Sequence, residues 1–339
     1  MARKPTARDV AERAGVARSA VSMVVNGRDA GMVAPERRQR ILDAAAELGY
    51  RPHSVGRSLR NQRTQTVGLV TDQIASSAFG GQLIRGATDV AMEAGYLLIT
   101  VDIHGDTERE APAYEALLHR EVDALMFAAL SLREYRPPPP LREHPSILAN
   151  CFDPAGSIAG VVADEVAGGY AAAALLIDAG HRDIVSLEGE PDSAATPLRR
   201  EGTLAAFDDA GLPAPELIGG GWEISDGFQA ATRVLSRQSR PTGLLCANDR
   251  GAVGAYLAAA RLGIDVPADL SIVGYDDDEN IAHRLSPALT TVALPHHEIG
   301  TAAMTALIAH LDDGVPLPSV AQKLPCRLVV RDSIAAPSR

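Results

Sequence analysis

A chain of 339 residues, 46% hydrophobic and 22% charged, is long enough for two or three domains with sizeable cores and has the composition of a soluble globular protein. Its net charge of −11 is unevenly spread: residues 1–63 carry 13 Lys+Arg against 6 Asp+Glu, and the remainder carries 19 against 37. A basic head on an acidic body points to an anionic partner for the head alone. The three cysteines, Cys151, Cys246 and Cys326, are far apart and form no C-x-x-C pair, so neither a disulfide framework nor a zinc site follows. The opening residues lack the apolar core of an export signal, and no apolar run is long enough to span a membrane, so the expected location is the cytoplasm.

Residues 6–50 are predicted to be helical throughout. Thr6 is a candidate N-cap with Asp9 at the capping-box position. A turn at Ala14-Gly15-Val16 leads to a second short helix carrying Ala20, Val21, Val24 and Val25, which Asn26-Gly27 ends. Pro35 suits the first position of a third helix, along which Ile41, Leu42, Ala45 and Leu48 recur at helical spacing. Residues 53–60 are predicted to form one or two helical turns at most, marginal alone, because nucleation costs more than so short a helix returns.

From Thr66 short apolar strands alternate with amphipathic helices. Strands are predicted at 67–70, 96–101, 124–127, 146–149, 184–187, 243–246 and 270–273. Helices are predicted around 82–94, 108–120, 165–179, 197–210, 226–237 and 249–262. Repeated βα units imply parallel sheets covered on both faces. The segment 160–165 is the expected crossing between two such sheets, and Pro137–Pro140 is an expected stiff, extended loop. The fold class is therefore α/β behind an all-helical head.

A helix, a three-residue turn containing glycine and a second helix make a helix-turn-helix, whose second helix enters the DNA major groove. Its outward residues are Arg18, Ser19, Ser22 and Met23. Arginine can contact guanine through two hydrogen bonds, serine pairs with several groups, and methionine offers only apolar contact.

The run from Thr6 to Gly27, then Ile41–Pro52, then Val55-Gly-Arg-Ser-Leu59, resembles the lactose-repressor (LacI/GalR) family in order and spacing, and the likeness continues to about residue 334. The resemblance implies a DNA-contacting set of Thr6, Arg18, Ser19, Ser22, Met23, Asn26, His53, Gly56, Arg57 and Leu59. It gives Leu59 the role of an apolar wedge in the minor groove, where unstacking a base step kinks the duplex. Packing of Leu59 against its twofold mate is compatible with that role. His53, Gly56 and Ala17 depart from the family pattern, and Gly56 weakens a hinge helix by roughly 1 kcal/mol against alanine.

The family has a two-lobed, periplasmic-binding-protein-like core. The implied division is a helix-turn-helix domain at 1–52 and a hinge at 53–64. One lobe then comprises 65–163 with 292–323, and the other 164–291 with 324–339. Ligands of such folds sit between the lobes at the carboxyl ends of strands. The implied effector set is Phe79, Asn150, Ser193, Arg199, Trp222, Asn248 and Asp276. Arg200 is an alternative to Arg199, and Trp222 is either a stacking face for a ring or a core residue. Leu294 stands where the family commonly has glutamine. The acidic run Asp276–Glu279 lacks the spacing of a calcium loop and is expected to be a solvated turn.

No nucleophile elbow, phosphate loop or H-E-x-x-H motif is present, and the adjacent His296 and His297 point to different faces. The expectation is a transcription regulator rather than an enzyme, with no cofactor and no metal. Its expected partners are a pseudo-palindromic double-stranded operator, a carbohydrate-like effector and a second copy of the chain, since no C-terminal leucine heptads follow Leu328.

Overall fold

Capping residues set the limits of the first helices. In the computed structural model, which describes residues 5–25, 29, 31–50, 63–75, 80–318 and 320–338, Thr6 caps α1 (Ala7–Ala14). The Thr6 hydroxyl accepts from the Asp9 amide while the Asp9 carboxylate accepts from the Thr6 amide, which satisfies two amide donors at once. Gly15 ends α1 at φ +67°, a conformation that favours glycine. Then follow α2 (Arg18–Val25) and α3 (Pro35–Glu47), with proline in the first turn of α3. Val10, Val21, Val24 and Ile41 meet in a small core of their own. The chain divides into two compact units, Met1–Gln65 and Thr66–Arg339.

The second unit contains two six-stranded sheets. The first is ordered β11-β5-β4-β3-β1-β2, all parallel, from β1 (Thr66–Thr71), β2 (Leu97–Asp102), β3 (Ala124–Glu134), β4 (Ser146–Phe152), β5 (Gly160–Ala163) and β11 (Gln322–Leu324). The second is ordered β12-β10-β9-β8-β6-β7, from β6 (Ile184–Glu188), β7 (Glu216–Gly219), β8 (Gly243–Cys246), β9 (Ser271–Asp276), β10 (Thr290–Ala293) and β12 (Arg327–Val329). Among the described strands, only β12 runs antiparallel to its neighbour. Helices α4 (Gly81–Glu93), α5 (Glu110–Leu118) and α10 (His296–Asp313) cover the first sheet. Helices α6 (Glu165–Asp178), α7 (Ala195–Asp209), α8 (Ile224–Leu235) and α9 (Asp249–Arg261) cover the second. Both sheets are thus buried on two faces, which is why their strands are near-continuous apolar runs.

Several expectations require correction. The expected boundary between 291 and 292 cuts through β10, which pairs with β9 from Thr290↔Val273 to Ala293↔Asp276, so the crossing falls at Leu294-Pro295. Leu324, placed in the second lobe, belongs to β11 of the first sheet. Strands β7, β10, β11 and β12, of three or four residues each, are not among the expected strands. β4 continues past Ala149 to Phe152, and β9 past Val273 to Asp276. Pro139 begins a single helical turn, Pro139–Glu143, because its fixed φ suits a first helical position.

Candidate DNA-reading head and interlobe cleft

On the head, Arg18 and Ser19 in the first turn of α2 are exposed, and Ser22 is half-buried. Met23 differs from expectation: it is half-buried and packs partly against the core of the head, so only part of it faces outward. The Thr6 hydroxyl is engaged with Asp9. Asn26, His53, Gly56, Arg57 and Leu59 lie outside the described residues, as does Phe79.

In the second unit, Asn150, Ser193, Arg199, Trp222, Asn248 and Asp276 line one cavity of about 240 Å³ between the lobes. Gln73, Ser131, Glu165, Glu223, Arg250 and Leu294 complete most of its wall. Of these additions, only Leu294 stood out in the sequence. Glu165 appeared in the sequence only as the last residue of the expected crossing segment 160–165.

The floor is an ion-pair cluster built by close helix packing. A side chain at Gly169 would overlap the Arg199 carbonyl, and one at Gly202 would overlap the Val166 carbonyl, so α6 and α7 touch backbone to backbone. This approach brings Glu165 of α6 against Arg199 of α7, with Nε 2.8 Å from one carboxylate oxygen and Nη2 3.2 Å from the other. Their side chains are 2% and 13% exposed. Arg199 Nη1 donates to the Ala247 carbonyl at 2.5 Å, and the guanidinium lies 3.6 Å from the centre of the Tyr275 ring. Burial alone would lower the Arg199 pKa, but the Glu165 charge overrides it and holds the group above its ordinary value. Arg200 does not line this cavity and grips Glu188 through two bonds of 2.6 and 2.7 Å.

Asp276 sits at the end of β9 with φ +116°. Its nearest cation is Arg199, at 3.9 Å. Burial raises its pKa well above the usual carboxylate range, and Asp249 and Glu165 add to this against the opposing charge of Arg199. Asn248 caps α9: its Oδ1 accepts from the Gly251 amide at 2.7 Å, and its Nδ2 donates to the Trp222 carbonyl at 2.9 Å. The Trp222 ring lies against Gly189, where any side chain would collide with the indole. The tryptophan is half-buried, so it belongs to the cleft wall as well as to the packing behind it.

The facing wall comes from the first lobe. There β3 shifts register against β4 between Ala128 and Arg133. Asn150 lies within β4 rather than at its end, at φ +55°, a conformation asparagine tolerates better than most residues. Its Nδ2 donates to the carbonyls of Ala129 and Leu130 at 3.0 and 3.1 Å, and the Asp72 carboxylate accepts from the Leu130 amide at 2.9 Å.

A second cavity of about 260 Å³ adjoins the first, sharing Asp276 and Leu294 and continuing past Asp277, Asp278, Glu279, Glu298, His296 and His297. The acidic turn is only partly solvated. Asp277 pairs with Arg331 at 2.6 Å, Asp278 donates its amide to Asp249, and Glu279 accepts from Gln82 of the other lobe at 3.2 Å. Among the described residues no cluster of metal-ligating side chains is present, and no helix is long and apolar enough to cross a membrane.

Residues 6–53 match the family described as bacterial regulatory proteins, lacI family, and residues 173–334 match a periplasmic binding protein-like domain. The chain is 33% identical over 313 residues to the HTH-type transcriptional repressor PurR of Erwinia tasmaniensis, covering 89% of each chain. It is 30% identical over 331 residues to the NTD biosynthesis operon regulator NtdR of Bacillus subtilis, covering 97% of this chain and 99% of that one. Among solved structures it is similar to the lac repressor dimer bound to operator and the anti-inducer ONPF. That likeness has 27% identity and a TM-score of 0.79, over 98% of this chain and 100% of the other. The transcriptional regulator CelR in complex with cellobiose matches at 27% identity and a TM-score of 0.69, over 97% and 99%. With a regulatory helix-turn-helix ahead of a binding-protein-like core, and relatives aligned along almost its whole length, the chain belongs to the lacI family of bacterial regulatory proteins.

Proposed function

We propose that the chain is a cytoplasmic, sequence-specific repressor that binds a pseudo-palindromic operator as a homodimer and is controlled by a carbohydrate-like molecule held between its lobes. The observation that carries the reading is the pairing, in one chain, of a basic helix-turn-helix that exposes Arg18 and Ser19 with a polar cavity between two α/β lobes. Arg18 and Ser19 are assigned to base edges, and the half-buried Ser22 and Met23 to the groove floor. Thr6, Asn26, His53, Gly56 and Arg57 are assigned to the DNA backbone and hinge contacts, and Leu59 to the wedge. The operator-bound dimer of the similar lac repressor and the cellobiose complex of CelR support the partner classes.

Asn150, Ser193, Arg199, Trp222, Asn248 and Asp276, with Phe79 as the family pattern places it, form the effector set. Arg199, Asn150 and Asn248 act there chiefly by holding the walls in place, because their hydrogen-bonding groups are largely engaged within the protein. Operator and effector affinities are coupled reciprocally: an effector that weakens DNA binding is itself bound less tightly by the DNA complex.

The test is selection of bound fragments from a genomic library at moderate salt, followed by titration of the selected duplex. Arg18→Ala is expected to lower affinity for the selected site by about 1–3 kcal/mol. Leu59→Ala is expected to weaken operator binding and leave small-molecule affinity nearly unchanged. Equal retention of all fragments by the unaltered protein would overturn the reading.

A further inference from the structure

The charges in the cleft do not balance, and the imbalance bears on what the cleft holds. Each of the two arginines lining the main cavity already has a carboxylate: Arg199 is held by Glu165, and Arg250 by Glu223 at 2.8 Å. Arg199 is committed further, to the Ala247 carbonyl and the Tyr275 ring. An incoming carboxylate or phosphate seated at Arg199 would have to displace Glu165, which is itself almost wholly buried and would lose its partner, and one seated at Arg250 would have to compete with Glu223 in the more exposed pair. Asp276 is the odd charge. Among the described residues no hydrogen bond reaches its carboxylate, and Arg199, 3.9 Å away, is shared with Glu165. The adjoining cavity that shares Asp276 has no lysine or arginine among its lining residues. Its His296 is buried, and burial lowers its pKa to about 4, so it is neutral near pH 7. Arg331, which also reaches that turn, is taken by Asp277.

Resting on the effector-cleft reading above, we infer that the cleft selects a hydroxylated ring carrying a protonated amine, seated at Asp276 on the side of the second cavity, and rejects carboxylated and phosphorylated relatives of that ring. The cavity wall offers Asp276, Ser193 and Gln73 as polar groups and Trp222 as an aromatic surface, a composition suited to hydroxyls and a ring. The raised pKa of Asp276 is consistent with this: the empty site favours a proton where the amine would supply a positive charge.

The experiment uses the full chain and nine probes: glucose, galactose and mannose, their 2-amino derivatives and their uronic acids. Binding is measured by thermal shift and calorimetry at pH 7. In the ring configuration that binds, the amino sugar is expected to bind at least about tenfold more tightly than the parent, the equivalent of one 1.4 kcal/mol ionic contact, and the uronic acid not at all. Asp276→Asn should erase the amine preference. The Glu279→Gln/Glu298→Gln double variant, at two exposed positions, should reduce it, with its own melting curve as the check on folding. A parent sugar or uronic acid that binds more tightly than its amine overturns the inference and leaves the cleft reading intact. No response to any of the nine overturns the inference. The cleft reading is then judged separately, on whether a protein-free metabolite extract releases the selected operator.

Discussion

The two lobes share an architecture but build their halves of the cleft differently. The second lobe presents charged side chains locked together: Glu165 and Arg199 meet because α6 and α7 touch at glycines, and Asn248 ties the start of α9 to Trp222. The first lobe presents mainly neutral groups and backbone. Its wall is the shifted stretch of β3, pinned to Asn150 and Asp72 by side-chain-to-backbone bonds. A surface of paired charges faces a wall held by a few side-chain-to-backbone bonds. The difference teaches that, on the proposed effector reading, the charged contacts for a ligand come mostly from the second lobe, while the first lobe supplies the shape of the facing wall.

Breaking the charged half should cost most. Glu165→Ala leaves Arg199 buried without its partner and is expected to destabilise the second unit by about 3–5 kcal/mol in denaturant titration. A loss below about 1 kcal/mol would mean that Asp276 substitutes fully for Glu165 and that the charged half is less tightly paired than described. Gly202→Ala tests the packing beneath the pair. Its methyl group meets the Val166 carbonyl, and an expected loss of about 1–3 kcal/mol reflects the forced separation of α6 and α7.

Two buried groups, one over each sheet, should answer acid with opposite signs. His296 opens α10 over the first sheet, and burial lowers its pKa to about 4. The unfolded chain takes up that proton first, so stability is full above the unfolded pKa and is lost as pH falls from about 6.5 toward 4. Asp249 opens α9 over the second sheet, and burial raises its pKa to about 7. Here the folded chain holds the extra proton, so the contribution is present below the unfolded pKa and is lost as pH rises through about 7. Between pH 6 and pH 5, His296→Asn should gain stability relative to the unaltered protein and Asp249→Asn should lose it. Parallel pH profiles for the two variants would remove this contrast. The smallest effect is expected in the head: Thr6→Ala removes the side-chain half of a capping box and costs about 0.5–1 kcal/mol, measurable as a lower melting temperature of that unit.

Much of this was legible in advance, for identifiable reasons. Thr6 and Asp9, Gly15 and Pro35 mark helix ends by chemistry that acts over three or four residues, and the observed helices of the head begin or end beside them. Asn248 and Asp276 were found as polar residues near strand exits, where the chain leaves the core for a cleft. Glu165, Glu223 and Arg250 were not found, because a charged residue near the start of a helix looks the same whether it meets solvent or a buried partner. Arg199 and Arg200 were indistinguishable for a related reason: only the orientation of α7 sends one to Glu165 and the other to Glu188.

By itself the amino-acid order determined the alternation of apolar strands with helices, the capped helices of the head and the separation of basic from acidic charge, since each depends on neighbours along the chain. Tertiary structure alone decided that Glu165 neutralises Arg199, that Asp276 is left without a counter-charge of its own, and that Asn150 and Asn248 spend their amides on the protein. Those outcomes depend on which residues meet when two helices close on glycines and when a parallel sheet shifts register, and local sequence carries no record of either event.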